Sequence, residues 1–241
     1  MGSMSLATPT TSSVTAVLWD IDSTLLKAGR AGINAFLDAV HDVAGTRPSG
    51  EGLDLGGRID PDIAAAMLEV IGAPTSLAGA VLDRLAVIAA ERLDQFAEQT
   101  TVLAGIAAMV DRLARAGVRQ TVVTGNIEAV GRIKLLAAGL VPPIDPDLGG
   151  FGDSGTTRAE VAGAALAKLA ADGWRSPLDT CWIIGDTPRD AACAEAVGVR
   201  CALVATGRHS AESLSSLGAD VVVEHFDRPG PLLQLWGDAV R

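Results

Sequence analysis

Val17-Leu18-Trp19-Asp20-Ile21-Asp22-Ser23-Thr24-Leu25 is an apolar run that ends in two aspartates one residue apart. It reads as a buried strand whose C-terminal tip carries both carboxylates. Residues i and i+2 of an extended chain point to the same side, so Asp20 and Asp22 crowd one small space. Two like charges that close need a cation, a shared proton or a strong donor. Such a pair costs folding free energy and points to a site. The competing reading is a turn or helix cap, which Asp and Ser often make after a strand. What separates the two is the rest of the chain.

Working outward, short runs rich in Val and Ile recur at Gln120–Val123, Thr180–Ile184, Cys201–Val204 and Asp220–Val223, and a first one at Ala16–Trp19. Helical patterns fall between them at Ile106–Ala116, Ile127–Ala138, Arg158–Ala171 and Asp190–Val197. Apolar strands alternating with amphipathic helices predict an α/β fold, a mostly parallel sheet covered on both faces. Ligands in such sheets bind outside the carboxyl ends of the strands. Three of the expected strands end there in Asp20, Thr124 and Asp186. The alternation breaks from Leu26 to about Gln99, where helical patterns (Ile33–Val43, Ile63–Ile71, Ser76–Phe96) stand without a convincing strand and Gly50–Gly57 is Gly-rich. This stretch reads as a helical insertion after the first strand.

Composition narrows the function. Of 241 residues, 49% are apolar and 3% aromatic, with no Tyr, so the core is built from Ala, Val, Leu and Ile. A net charge of −10 argues against a nucleic-acid binder, which needs a basic face. It leaves room for a small anionic substrate, because a metal ion and one or two basic residues can reverse a local field. Three cysteines without CxxC spacing, and three scattered histidines, exclude a disulfide framework and a zinc motif. They suit buried thiols in a reducing cytoplasm. No segment approaches a membrane span, Met1–Ser13 has no secretory pattern, and Thr8–Ser13, rich in Thr and Ser, reads as a frayed tail.

Three further segments carry polar groups to strand tips. Thr121-Val122-Val123-Thr124-Gly125-Asn126 offers a hydroxyl and backbone N–H groups before a helix, which can hold phosphoryl oxygens or merely cap that helix. Thr156-Thr157-Arg158-Ala159-Glu160 opens a helix with a planar cation suited to a phosphate; Lys168 is a rival that sits too far along the same helix. Trp182-Ile183-Ile184-Gly185-Asp186-Thr187-Pro188-Arg189-Asp190 ends a strand and starts a helix, with Thr187 as N-cap, Pro188 at N1 and Asp190 at N3. Capping accounts for Asp190 and leaves Asp186 unexplained. A hard cation such as Mg²⁺, which prefers oxygen ligands, suits Asp20, Asp186 and a backbone carbonyl near Asp22.

Taken in this order, the four segments resemble the haloacid dehalogenase-like hydrolase superfamily. Asp20, Asp22 and Thr24 match its first motif, Thr124 its second, and Gly185, Asp186 and Asp190 its fourth. Arg158 stands where the third usually has Lys, and Ser23 where Gly is frequent. The resemblance implies a parallel-sheet Rossmann-like core (residues 14–26 and 100–241) and a small all-helical cap (27–99) of the phosphoglycolate-phosphatase-like branch. It implies Asp20, Asp22, Thr124 and Arg158 as catalytic residues, and Asp20, Asp22, Asp186 and Asp190 as the Mg²⁺ site. Thr24, Gly125, Asn126, Arg30 and Arg58 would bind substrate, the last two from the cap side, where Gly56-Gly57-Arg58-Ile59-Asp60 resembles a substrate loop. The implied activity is Mg²⁺-dependent hydrolysis of a small phosphorylated metabolite through an aspartyl-phosphate, by a cytoplasmic monomer or homodimer with neither nucleic acid nor membrane as partner. The alternatives are a phosphoglucomutase-like isomerase on the same scaffold and a non-catalytic phosphoryl-binding module.

Overall fold

A computed structural model describes residues 14–49 and 56–240. The tail expected at Thr8–Ser13 and most of the Gly50–Gly57 stretch lie outside the described residues. In chain order the elements are β1 (Ala16–Trp19), β2 (Leu26–Lys27), α1 (Ala31–Ala44), α2 (Asp60–Val70), α3 (Ala78–Glu91), α4 (Leu93–Gln99), β3 (Thr101–Val102), α5 (Ile106–Arg115), β4 (Arg119–Val122), α6 (Glu128–Ala137), α7 (Arg158–Ala171), β5 (Cys181–Gly185), α8 (Pro188–Val197), β6 (Arg200–Val204), α9 (Ala211–Ser215), β7 (Val221–Val223) and α10 (Gly230–Trp236).

The main sheet has the order β4-β1-β5-β6-β7, and every pairing in it is parallel. Its apolar runs follow from burial on both faces. Val17, Trp19 and Ile184 pack to one side, Ala16, Leu18 and Ile183 to the other. The chain leaves β1 toward β4 and leaves β5 toward β6, so the connections part between β1 and β5. Such a switch point opens a crevice at the carboxyl ends of the strands. Asp20 and Asp186 follow directly on these two strands.

Helices α1 to α4 lie between β2 and β3 and meet the core through α6, which packs against α3 and α4. Phe36, Met67, Leu85 and Phe96 join the same apolar cluster as Trp19, Ile133 and Leu135, so these helices and the sheet share one continuous core. The structure differs from the sequence expectation in two places. The single helix expected over Ser76–Phe96 breaks at Arg92 (φ −114°, ψ 27°), which ends α3 and starts α4. The bend buries Phe96 and lets the Arg92 guanidinium pair with Asp38 of α1 at 2.8 Å. The insertion also begins with a strand. Leu26–Lys27 pairs antiparallel with Thr101–Val102, a ribbon too short for alternation to register in sequence, and it holds the two crossings into the helical insertion side by side.

Candidate active site

The site is built on the strand tips. Asp20 continues the ladder past β1, donating its N–H to the Ile184 carbonyl at 2.8 Å, and its side chain is 7% exposed. Asp186 follows β5. Asp190 sits at N3 of α8, where its Oδ2 accepts from Thr187 N (3.1 Å) and Thr187 Oγ1 (2.6 Å), completing the expected capping box. Gly185 is obligatory, because a Cβ there would overlap the Asp190 carboxyl group. Asp20, Asp186 and Asp190 are all buried and place carboxylate oxygens within 4.8 Å of one another.

Arg158, the first residue of α7, answers this negative charge. Its Nη2 bonds Asp190 Oδ1 and approaches Asp20 Oδ1 at 3.4 Å. Thr157 fixes the start of that helix by accepting the Glu160 N–H at 3.2 Å. Among the described residues, nothing partners Arg158 Nε or Nη1, both buried. Leaving such donors unpaired costs free energy. Lys168 donates instead to the Gly149 carbonyl at 2.7 Å, away from the site.

The carboxylates titrate accordingly. Burial pushes Asp20 well above the usual carboxylate range, Asp190 and Asp186 add to the rise, and Arg158 opposes it. Burial and then Asp190 push Asp186 up to about 7. For Arg158, burial alone favours the neutral form, but Asp190 and Asp20 hold the guanidinium more firmly protonated than in water. Buried oxygen donors whose charge is this poorly neutralised fit a hard divalent cation.

Asp22 belongs to a different arrangement. Lys134 of α6 donates to both its oxygens, at 2.8 Å to Oδ1 and 2.6 Å to Oδ2. Asn126 Nδ2 also donates to Oδ2 at 2.7 Å and to Thr124 Oγ1 at 2.8 Å. The Asp22 carboxylate is therefore held by Lys134 and Asn126 and lies outside the Asp20–Asp186–Asp190 cluster. Any part it has in holding a cation falls to its backbone carbonyl. Thr24 is fully buried and donates to Asp186 Oδ1 at 3.4 Å, so it orients a neighbour.

These groups open into one cavity of about 470 Å³, which Asp20, Asp22, Thr124, Gly125, Asn126 and Arg158 all line. Lys134, Arg58 and Arg208 line it as well. Arg30 does not. It is the exposed residue preceding α1, with its backbone N–H on Gln99 Oε1 at 3.0 Å, and the turn there carries it away from the opening. The insertion closes directly on the second segment. Asp60 N donates to the Gly125 carbonyl (2.7 Å) and Asp60 Oδ2 accepts from Ile127 N (2.8 Å). A Cβ on Gly125 would overlap the Arg58 carbonyl. Burial pushes Asp60 up to about 7, partly offset by the Ile127 N–H and Lys134. The sequence reading placed Asp60 in a substrate loop and missed this joint. It missed Lys134 altogether, whose one signal was a charge flanked by the apolar Ile133 and Leu135 on a helix otherwise read as packing.

Residues 17–195 match the haloacid dehalogenase-like hydrolase family. The chain belongs to this family. A phosphoglycolate phosphatase from Rhodospirillum rubrum is 32% identical over 133 residues, 55% of this chain and 53% of that protein, so the match spans about half the length of that curated relative. Among solved structures, a predicted phosphatase from Clostridium acetobutylicum superposes with a TM-score of 0.68 at 20% identity, covering 90% of this chain and 96% of that one. CbbY from Rhodobacter sphaeroides, crystallised with phosphate, gives 0.66 at 20% identity with the same coverage. At these identities the structures show that this chain shares their fold. Among the described residues, no helix is long and apolar enough to cross a membrane.

Proposed function

We propose that this hydrolase is a Mg²⁺-dependent phosphatase acting on a small organic phosphomonoester, with a core (14–26 and 100–241) covered by a helical cap (27–99). The observation that carries the reading is Arg158, a largely buried side chain whose Nη2 lies 3.4 Å from Asp20 Oδ1, both residues lining one ligand-sized cavity. The free, buried thiols of Cys181, Cys193 and Cys201 fit a cytoplasmic setting.

In this reading an Asp20 carboxylate oxygen bonds to phosphorus as the bond from phosphorus to the leaving oxygen breaks. The Asp22 carboxyl gives its proton to that oxygen, releasing the alcohol. A water then attacks phosphorus, Asp22 takes its proton back, and the bond from phosphorus to Asp20 breaks, releasing inorganic phosphate. Arg158, Thr124 and the Gly125 and Asn126 amides neutralise the equatorial oxygens of the transferring group. Asp20 and Asp186 would hold Mg²⁺ with the backbone carbonyl of Asp22, while Asp190 holds Arg158. The ion, when bound, offsets negative charge so that a carboxylate can approach a phosphate. Arg58, which lines the cavity, meets the leaving group, and movement of the insertion over the site would limit water during the reaction.

The test is phosphate release from a panel of sugar phosphates, phosphoglycolate, nucleotides and p-nitrophenyl phosphate with Mg²⁺. Activity on at least one ester, absent in Asp20→Asn, is expected. No release from any ester would remove the proposal, and conversion of a hexose 1-phosphate to its isomer would replace it with the mutase reading.

A further inference from the structure

Lys134 is a charged residue in a buried position that the chemistry above does not use. Its side chain is 6% exposed, and the α1 helix of the insertion lies over it, with a Cβ on Gly32 falling 3.6 Å from Lys134 Cε. An ammonium has three N–H donors. Here they meet three acceptors: Asp22 Oδ1 at 2.8 Å, Asp22 Oδ2 at 2.6 Å and Asn126 Oδ1 at 2.7 Å. A phosphate-binding lysine would keep a donor free for its ligand. Asn126 is aligned by the same contact. With its Oδ1 taken by Lys134, its Nδ2 turns to Asp22 Oδ2 and Thr124 Oγ1. The Asp22 side chain is otherwise open to the cavity, 47% exposed, and would turn freely without this clamp.

We infer that Lys134 is a positioning residue for the acid–base carboxylate, a Lys134–Asn126 clamp that aims Asp22 at the leaving oxygen. The site thus divides its cations, Arg158 serving the nucleophile and Lys134 the proton donor. The inference rests on the phosphatase reading and assigns Lys134 no contact with substrate.

A leaving-group comparison tests it. For a two-step reaction, kcat/KM reports only the steps up to departure of the alcohol. An alkyl phosphate taken from the panel needs a proton on its leaving oxygen, whereas p-nitrophenyl phosphate does not. Lys134→Met is expected to lower kcat/KM for the alkyl ester by about 100-fold, and for p-nitrophenyl phosphate by less than about 5-fold. In an Asp22→Asn background the same change should add no further selective loss. Lys134→Gln, which keeps a donor without the charge, reads the same way should Lys134→Met fail to fold. Equal losses on both esters, no loss on either, or an additive loss in the Asp22→Asn background would overturn the clamp and leave the phosphatase reading standing. A wild type inert on both esters would remove both together.

Discussion

The floor of the site and its upper side hold the two signature carboxylates of the first motif in opposite ways. Asp20 lies on the floor, sealed among strand tips, with a side chain 7% exposed and Arg158 as its ion-pair partner. Asp22 lies two residues on, 47% exposed, and is tied by Lys134 and Asn126 to a helix that the insertion packs upon. Burial dominates on the floor, where it raises both Asp20 and Asp186. On the upper side, where water reaches, orientation dominates. Asp20 and Asp22, with one residue between them, thus obtain different environments although both line the same cavity.

The floor breaks first. Asp20→Asn should lower kcat on the order of 10⁴-fold while the circular dichroism spectrum stays unchanged. Arg158→Lys should cost roughly 10²-fold, because a point charge cannot offer the planar fork; full activity in this variant would mean that Arg158 contributes charge alone. A thermal melt reads the floor without any turnover. Millimolar Mg²⁺ should raise Tm by mass action, and Asp186→Asn should abolish the rise. An undiminished rise in that variant would locate the ion elsewhere.

The joint between the insertion and the upper side is sharpened by pH. Asp60 stands at about 7 in the folded chain, against the usual carboxylate value near 4 when unfolded. Between these values the folded chain keeps a proton that the unfolded chain has lost. The stability this group contributes is therefore full below about pH 4 and falls as pH rises toward 7. Relative to Asp60→Asn, the wild type should lose on the order of 2–4 kcal/mol across that window, read by urea unfolding at several pH values. A constant difference would mean that Asp60 is not enclosed. The smallest effect is expected at Ser23, which holds φ 63° in the turn after the two carboxylates. Glycine relieves the left-handed strain but adds unfolded-state entropy, so Ser23→Gly should change stability by no more than about 1 kcal/mol.

The same two regions differ in how far the sequence disclosed them. Asp20, Thr124 and Asp186 each close an apolar run, and the α/β rule sends such residues to one edge of the sheet, so the floor could be read from strand ends alone. Arg158 was visible as the first residue of a helix, and Asp190 as part of a capping box. Lys134 lies in the body of α6, and Asp60 at the start of α2. Their partners are decided by how the insertion docks, which no local period encodes. Arg30 runs the other way, since a cation on the cap side looked placed for substrate, whereas it is exposed and does not line the cavity.

The central claim is that Asp20 takes the phosphoryl group, and peptide mass spectrometry after acid quench during turnover tests it most directly. The peptide containing Asp20 should gain the mass of one phosphoryl group in wild type, and gain it more fully in Asp22→Asn, where the water-activating base is missing. Phosphate release from an enzyme whose Asp20 never carries that mass, or whose phosphoryl group sits on another residue, would contradict the account.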